Sequence, residues 1–286
     1  MRNERATASL RGLATGDGFG SCFTDPLGSA ALATRTPPPG PWLWTDDTEM
    51  ACSVYRILLR HGRIEQDALA LSFAEHYDIY RRYGPGTTRI LRLMRRDGTD
   101  WRELAPRARG GAGSWGNGAA MRVAPLGAYF ADVPDRVPAQ AVAAAEVTHT
   151  HPEGIEGAVA VAVAAALVAA EPGLRGPALL SAIADRTPSG AVRDRILAAR
   201  EISETGSAAA ELGTGQECRA LDTVPYCLWL AARYRNRLTE AWWTAAAAGG
   251  DVDTTCAIVG GVLAADPGLP AEWSARTEPL PAWALP

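Results

Sequence analysis

Apolar residues recur at three- and four-residue spacing along most of this chain, and no long alternating run of Val, Ile or Thr is present. The first pattern turns one face of a helix towards a core; without the second there is no half-buried strand. The expectation is an all-α protein, a compact many-helix bundle. Met50 to Arg60 and Gln66 to Tyr77 show the period, and further helices are expected near 85–97, 119–131, 137–148, 153–170, 177–185, 189–204, 222–233, 237–247 and 254–265. The apolar run GAVAVAVAAALVAA (157–170) is 14 residues long and mostly Ala. That is too short and too weakly apolar to span a bilayer. It reads as a helix buried in protein, with small side chains that admit close neighbours, and no membrane partner is expected.

Gly- and Pro-rich loops separate the helices: TRTPPPGP (34–41), RGGAGSWGNG (109–118), EPGLRGP (171–177), ETGSAAAELGTGQE (204–217) and AGGD (248–251). None resembles a long linker and no repeat is present, so residues 1–286 read as one domain. The Pro-rich tail after Asp266 is expected to be pinned by Trp273 and Trp283.

A net charge of −4, with every basic residue an Arg, leaves no basic footprint for nucleic acid. The Arg-rich stretch 81–98 reads as a solvated helix face. Five widely spread cysteines without a CxxC pair signal neither a zinc site nor a disulfide frame. They suit a reducing cytosol, and the N-terminus lacks the apolar core of a signal peptide, so a cytoplasmic location is expected. The sequence does not fix an oligomeric state.

Two acidic clusters stand out. WTDDTEM (44–50) and GGDVDTT (249–255) each put two carboxylates and a hydroxyl at a helix entrance. Both could be caps: Asp46 with Glu49 three residues on has the shape of a capping box, and Asp251 precedes Thr254 by three. Alternatively, the oxygens are hard ligands suited to Mg²⁺, Ca²⁺ or Mn²⁺. Four aspartates brought together would repel unless cations neutralised them, and a two-ion site would do so.

The motifs GLATGDGFG (12–20), WTDDTEMA (44–51), SWGNGAAMRVAPLG (114–127), THTHPEGIEGAVA (148–160) and GGDVDTTCAIVGGVLA (249–264) closely resemble those of ADP-ribosylglycohydrolases, including the dinitrogenase reductase-activating type. They occur in the family's order over nearly the whole chain, and the later LDTVPYCLWLA and GLPAEW also look like it. The resemblance implies a compact orthogonal multi-helix bundle with a binuclear magnesium cleft, Mn²⁺ being the alternative ion. Its metal ligands would be Thr45, Asp46, Asp47, Asp251, Asp253 and Thr254, with Asp46, Asp47 and Asp253 at the centre of catalysis. Substrate contacts would fall on Asp17, Ser114, Trp115, Gly116, Asn117 and His149, with His151 structural. The glycines of GSWGNG also suit a nest of backbone N–H groups around an anion. Asp17 is read either as a hydrogen-bond partner of the cleft loops or a bound water, or as a turn residue between Gly16 and Gly18.

The implied activity is Mg²⁺-dependent hydrolysis at the anomeric carbon of an ADP-ribosyl group on a protein, nucleobase or small-molecule acceptor. One departure matters. Many members of the family carry a glutamate shortly after the GDxxG motif; the corresponding places here are Thr24, beside Asp25, or Ser21 and Cys22. An ADP-ribose-binding protein with little turnover is therefore a second expectation. Two-metal hydrolysis of a phosphoester or diphosphate is a third.

Overall fold

The computed structural model describes residues 1–23, 27–264 and 269–285. Among the described residues the regular structure is helical; the only β pairing is two isolated bridges, Trp42 with Thr277 and Gly116 with Arg219. Most expected helices occur within a few residues of their expected ends. The TDDT helix (Asp46–His61) shows why. Asp46, Asp47 and Glu49 fill its first turn and Arg60 and His61 its last, complementing the helix dipole. Gly62 then closes it in the left-handed region, its N–H bonding to Leu58 O at 2.8 Å. In helix Pro85–Asp97, Ile90 and Leu91 face the core while Arg89, Arg92, Arg95 and Arg96 are exposed, the solvated face expected.

Three expectations need correction. The span 119–131 is not one helix: a 3₁₀ turn (Asn117–Ala119) is followed by a helix at Ala124–Tyr129, restarted with Pro125 in its first turn. The loop expected at 204–217 contains a helix, Thr205–Leu212, which buries Ala208 and Leu212 one turn apart and ends at Gly213, φ 86°. The largest difference is at the start. Arg2–Ser21 is a 20-residue helix, so GDGFG is helical and Asp17 is not a turn residue.

Glycine ordinarily weakens a helix by about 1 kcal/mol. Here it permits backbone-to-backbone packing. Gly12, Gly16 and Gly20 lie one turn apart and face the helix Val252–Leu263, called here the DVDTT helix. A Cβ on Gly12 would lie 2.5 Å from Gly260 O, and one on Gly20 2.6 Å from the Asp253 Cα. One on Gly16 would collide with the Cys256 carbonyl oxygen. Ser9 donates to Gly261 O at 2.6 Å along the same seam. Nearly the whole C-terminal half of the N-terminal helix is buried, so no apolar stripe marks it in the sequence.

The Ala-rich run forms the core of helix Pro152–Ala170. The helix extends beyond the run, and with a mean hydropathy of 1.8 it is long and apolar enough to cross a membrane by length and composition alone, which corrects the expectation that it is too short and too weakly apolar; 83% of its 18-residue apolar window is nonetheless buried inside the protein. Its neighbours are Ala124–Tyr129, Val137–Glu146, Ala220–Arg233 and the DVDTT helix. Each buried Val adds roughly 1.5 kcal/mol or more, while the alanines let four helices approach. Arg235 donates to Val168 O at 2.6 Å and Leu174 O at 2.8 Å, closing the helix's C-terminal end. The tail is held as expected: Trp273 is buried and stacks on Trp242 with centroids 5.1 Å apart, and Trp283 stacks on His76 at 3.7 Å.

Candidate functional site

The seam between the N-terminal and DVDTT helices brings the two acidic clusters together. Thr254 Oγ1 donates to Asp47 Oδ1 at 3.4 Å, a contact across 207 residues. Asp17 ties the TDDT motif to the seam. Fully buried, it accepts from Thr45 N (2.8 Å), Thr45 Oγ1 (2.9 Å), Thr48 N (3.1 Å) and Thr48 Oγ1 (2.6 Å). It is thus a hydrogen-bond partner of a cleft loop.

Neither Asp46 nor Asp251, the expected caps, acts as a side-chain cap. Thr45 is the N-cap residue of the TDDT helix, with only a long 3.4 Å bond from Asp47 N, and no capping box forms. Glu49 turns away, its Oε2 accepting from Tyr83 Oη (2.6 Å) and Asp78 N (3.1 Å). Asp251 begins the DVDTT helix without a side-chain cap bond, and its Oδ2 accepts from Asn117 Nδ2 at 2.7 Å. Gly249 and Gly250, with φ of 71° and 80°, make the turn that delivers it; a Cβ on Gly250 would collide with the Thr214 backbone.

Asp17, Asp46, Asp47, Asp251 and Asp253 have no ion-pair partner among the described residues. Burial, then the charge of Asp17 and its fellow acids, pushes Asp46 and Asp47 well above the usual carboxylate range. Burial and Asp253 raise Asp17 to about 7 against its threonine bonds, and raise Asp251 to about 7 against its Asn117 bond. Asp47 Oδ2 is buried without a hydrogen-bond partner among the described residues. Among the described residues no three acidic, His or Cys side chains are gathered into a closed ligand group. An all-oxygen donor set, uncompensated negative charge and an orphaned carboxylate oxygen nonetheless fit a hard divalent cation, drawn in by side-chain rotation.

A pH prediction follows. A carboxyl raised on folding stabilises the fold below its unfolded pKa, and that stabilisation is lost as pH rises through the folded value. Stripped of divalent ions, the protein is expected to lose stability between pH 6.5 and 8, as Asp17 and Asp251 ionise near 7. His149 is held down to about 3, by burial first and then by Arg122 and Arg109, so its stabilisation is lost only as pH falls below its unfolded value. It therefore does not mask this window. Urea unfolding at the two pH values, with EDTA and with Mg²⁺, measures the effect; equal stability at both pH values in EDTA would contradict it.

The GSWGNG loop forms the adjoining wall. Asn117 is buried, its Nδ2 shared between Asp251 and Thr223 Oγ1 (3.1 Å). Two of the amides expected in an anion nest are already engaged, Gly116 N on Ser114 Oγ (3.2 Å) and Asn117 N on Cys218 O (3.1 Å). Cationic side chains supply what they do not. Trp115, half-buried, has the Arg109 guanidinium 4.6 Å and the Arg219 guanidinium 5.9 Å from its ring. Glu153 holds Arg219 through bonds of 3.1 and 2.6 Å, whereas Arg109 forms no ion pair among the described residues. His149 is buried with Nδ1 2.7 Å from Thr148 Oγ1. His151 caps the helix that follows, its Nδ1 accepting from Glu153 N at 3.1 Å, and sets its ring edge-on to Trp115.

Hydrogen bonds therefore link Asp17 to Thr45, Thr45 to Asp47, Asp47 to Thr254, Thr254 to Asp253 and Asp251 to Asn117, and His149 lies against Gly116 of the same loop. Sequence reasoning missed Thr48, Arg109, Arg122, Thr148 and Arg219, whose spacing carries no signal. At the position of the family glutamate, Ser21 Oγ donates to Gly18 O (3.0 Å) and Leu43 O (2.7 Å), and Cys22 Sγ donates to Gly18 O (3.3 Å). Thr24 and Asp25 lie outside the described residues.

The fold and these converging acidic clusters define a class. The profile of the ADP-ribosylglycohydrolase family matches residues 1–284, and the chain belongs to that family. It is 32% identical over 240 residues to an uncharacterized protein of Archaeoglobus fulgidus, covering 80% of this chain and 74% of that protein. It is 35% identical over 158 residues to ADP-ribosylhydrolase ARH3 of Gallus gallus, a match spanning 54% of this chain and 40% of that protein. A solved structure described as an ADP-ribosylglycohydrolase-related protein complex superposes with a TM-score of 0.65 at 25% identity, covering 97% of this chain and 93% of that one.

Proposed function

We propose that this chain is a Mg²⁺-dependent ADP-ribosyl hydrolase that cuts the glycosidic bond at the anomeric carbon and releases ADP-ribose. The observation that carries this reading is the convergence of TDDT and DVDTT, through Thr254 and Asp47, on a buried carboxylate oxygen with no protein partner. Thr45, Asp46, Asp47, Asp251, Asp253 and Thr254 would hold two Mg²⁺ ions (or Mn²⁺), which supply Lewis acidity and a template for the vicinal ribose hydroxyls.

The chain's own residues do the rest. Asp17 fixes the TDDT entrance, and Asn117 fixes Asp251. Trp115 and Arg109 offer an aromatic and cationic wall to the diphosphate end. Water adds its oxygen to the anomeric carbon while the bond to the acceptor breaks. One water proton passes to the Asp47 carboxylate and from there, by way of solvent, to the departing acceptor, so that the carboxylate ends as it began. Proton transfer of this kind contributes typically 10²–10⁴-fold.

The test is product analysis with purified protein and several ADP-ribosylated acceptors, with and without Mg²⁺. Free ADP-ribose only with Mg²⁺ is the expected result. AMP instead would mean diphosphate cleavage. No release from any acceptor by folded protein would defeat the hydrolase reading. Ser21 and Cys22, which offer no carboxylate and donate to helix carbonyls, favour a second reading: ADP-ribose binding with little turnover. Calorimetry showing Mg²⁺-dependent ADP-ribose binding without product would establish it.

A further inference from the structure

Arg122 is a costly residue to bury. It is fully inaccessible, its Nε has no hydrogen-bond partner, and no carboxylate lies within ion-pair distance among the described residues. A buried cation without a counter-charge is ordinarily selected against unless its hydrogen bonds serve a purpose. Its Nη2 donates to Ala144 O and to Thr148 Oγ1, both at 2.9 Å, Nη1 reaches Met50 Sδ at 3.5 Å, and the guanidinium lies 4.6 Å from the Phe73 ring centre. Thr148 Oγ1 then meets His149 Nδ1 at 2.7 Å.

The protons along this chain can be assigned. A guanidinium only donates, so Thr148 Oγ1 accepts from it. The hydroxyl proton must then go elsewhere, and the one remaining partner of Oγ1 is His149 Nδ1. Nδ1 is therefore an acceptor, which puts the ring proton on Nε2. Nε2 has no protein acceptor among the described residues and faces the turn of the GSWGNG loop. A Cβ on Gly116 would lie 3.3 Å from it and one on Gly118 3.1 Å. Gly154 sits behind, where a Cβ would lie 3.4 Å from the His149 Cβ. Three glycines thus hem the imidazole in, and His149 N bonds to Ala145 O at 2.8 Å, which fixes its backbone.

We infer that Arg122 and Thr148 are positioning residues that lock His149 as the neutral tautomer with its proton on Nε2, a fixed hydrogen-bond donor to an anionic or hydroxyl oxygen of the ligand. His149 cannot serve as a proton carrier in this arrangement, because an imidazolium would need Nδ1 to donate into a hydroxyl already turned towards it. Only the identity of the ligand rests on the proposed function; the tautomer is a property of the free protein.

The test is long-range ¹H–¹⁵N NMR on ¹⁵N-histidine-labelled full-length protein at neutral pH, where the four histidines give a resolvable spectrum. The expected His149 signature is an unprotonated Nδ1 and a protonated Nε2. Thr148→Val, nearly the same shape, removes the donor and is expected to populate the Nδ1–H form, while Thr148→Ser restores the original signature. Calorimetry adds a second reading: ADP-ribose affinity about tenfold weaker in Thr148→Val and within about twofold of the parent in Thr148→Ser. An Nδ1–H ring or an imidazolium in the parent protein would overturn the inference, as would an unchanged tautomer in Thr148→Val. If the tautomer behaves as stated but the parent binds no ADP-ribose, the lock stands and the functional reading falls.

Discussion

Asp47→Asn is expected to make the metal-free protein more stable and the Mg²⁺-treated protein less responsive. Asp47 is 2% exposed, carries an orphaned oxygen and is surrounded by four other aspartates that raise its pKa. Replacing a buried carboxylate in this like-charged cluster by a neutral amide should stabilise the EDTA-treated fold by roughly 1–3 kcal/mol, the scale of an unsatisfied buried polar group. The parent gains on adding the ion: at a hundred times the dissociation constant the gain is about 2.7 kcal/mol, or roughly 5–10 °C in melting temperature. In Asp47→Asn that rise should shrink to under about 2 °C. Hydrolysis should fall at least about 100-fold, more than the loss of an outer-shell partner costs. Thermal melts in EDTA and in Mg²⁺ read both signs at once. A full Mg²⁺ shift surviving in Asp47→Asn would remove this residue from the ion site.

Gly16→Ala should be strongly destabilising. In an exposed helix the substitution gains up to about 1 kcal/mol. At Gly16 the new methyl collides with the Cys256 carbonyl and lies 2.8 Å from Trp242 Nε1. Those two groups are hydrogen-bonded to each other at 2.9 Å, so the methyl also disturbs a buried bond. Overpacking costs about 1–3 kcal/mol and an unsatisfied buried group a similar amount, which outweighs the propensity gain and leaves a loss of about 2–4 kcal/mol. Gly206→Ala is the matched control. It lies in a helix with nothing within 4 Å of the new methyl and should be neutral or slightly stabilising. Urea denaturation of the three proteins decides the point. Equal stability of Gly16→Ala and Gly206→Ala would mean the two helices are not in backbone contact.

What could be read in advance followed from period and chemistry. Pro85–Asp97 and Gln66–His76 have one buried and one wet face, or clear end signals, and their limits were legible. Arg2–Ser21 was not, because its glycine-rich half is enclosed by protein and a glycine at every turn imitates a loop. The same contrast holds in the cleft. Asp46, Asp47, Asp251 and Asp253 stood out as paired carboxylates beside helix entrances. Asp17 was ambiguous until the helix around it placed four donors on its carboxylate. Arg109, Arg122 and Thr148 gave no sign at all, since their role depends on which rings and hydroxyls the tertiary structure sets beside them.

The glycine seam also sets an order of assembly. Ser9 and Gly261, joined along it, are 252 positions apart. Contacts of such separation form late, after most loop-closure entropy has been overcome, and they slow folding. During synthesis the TDDT acids emerge long before their partners, when neither half offers a complete site. On the proposed function, ion capture would belong to the last docking event rather than the first, and refolding should show a slow phase whose yield, more than its rate, responds to added magnesium.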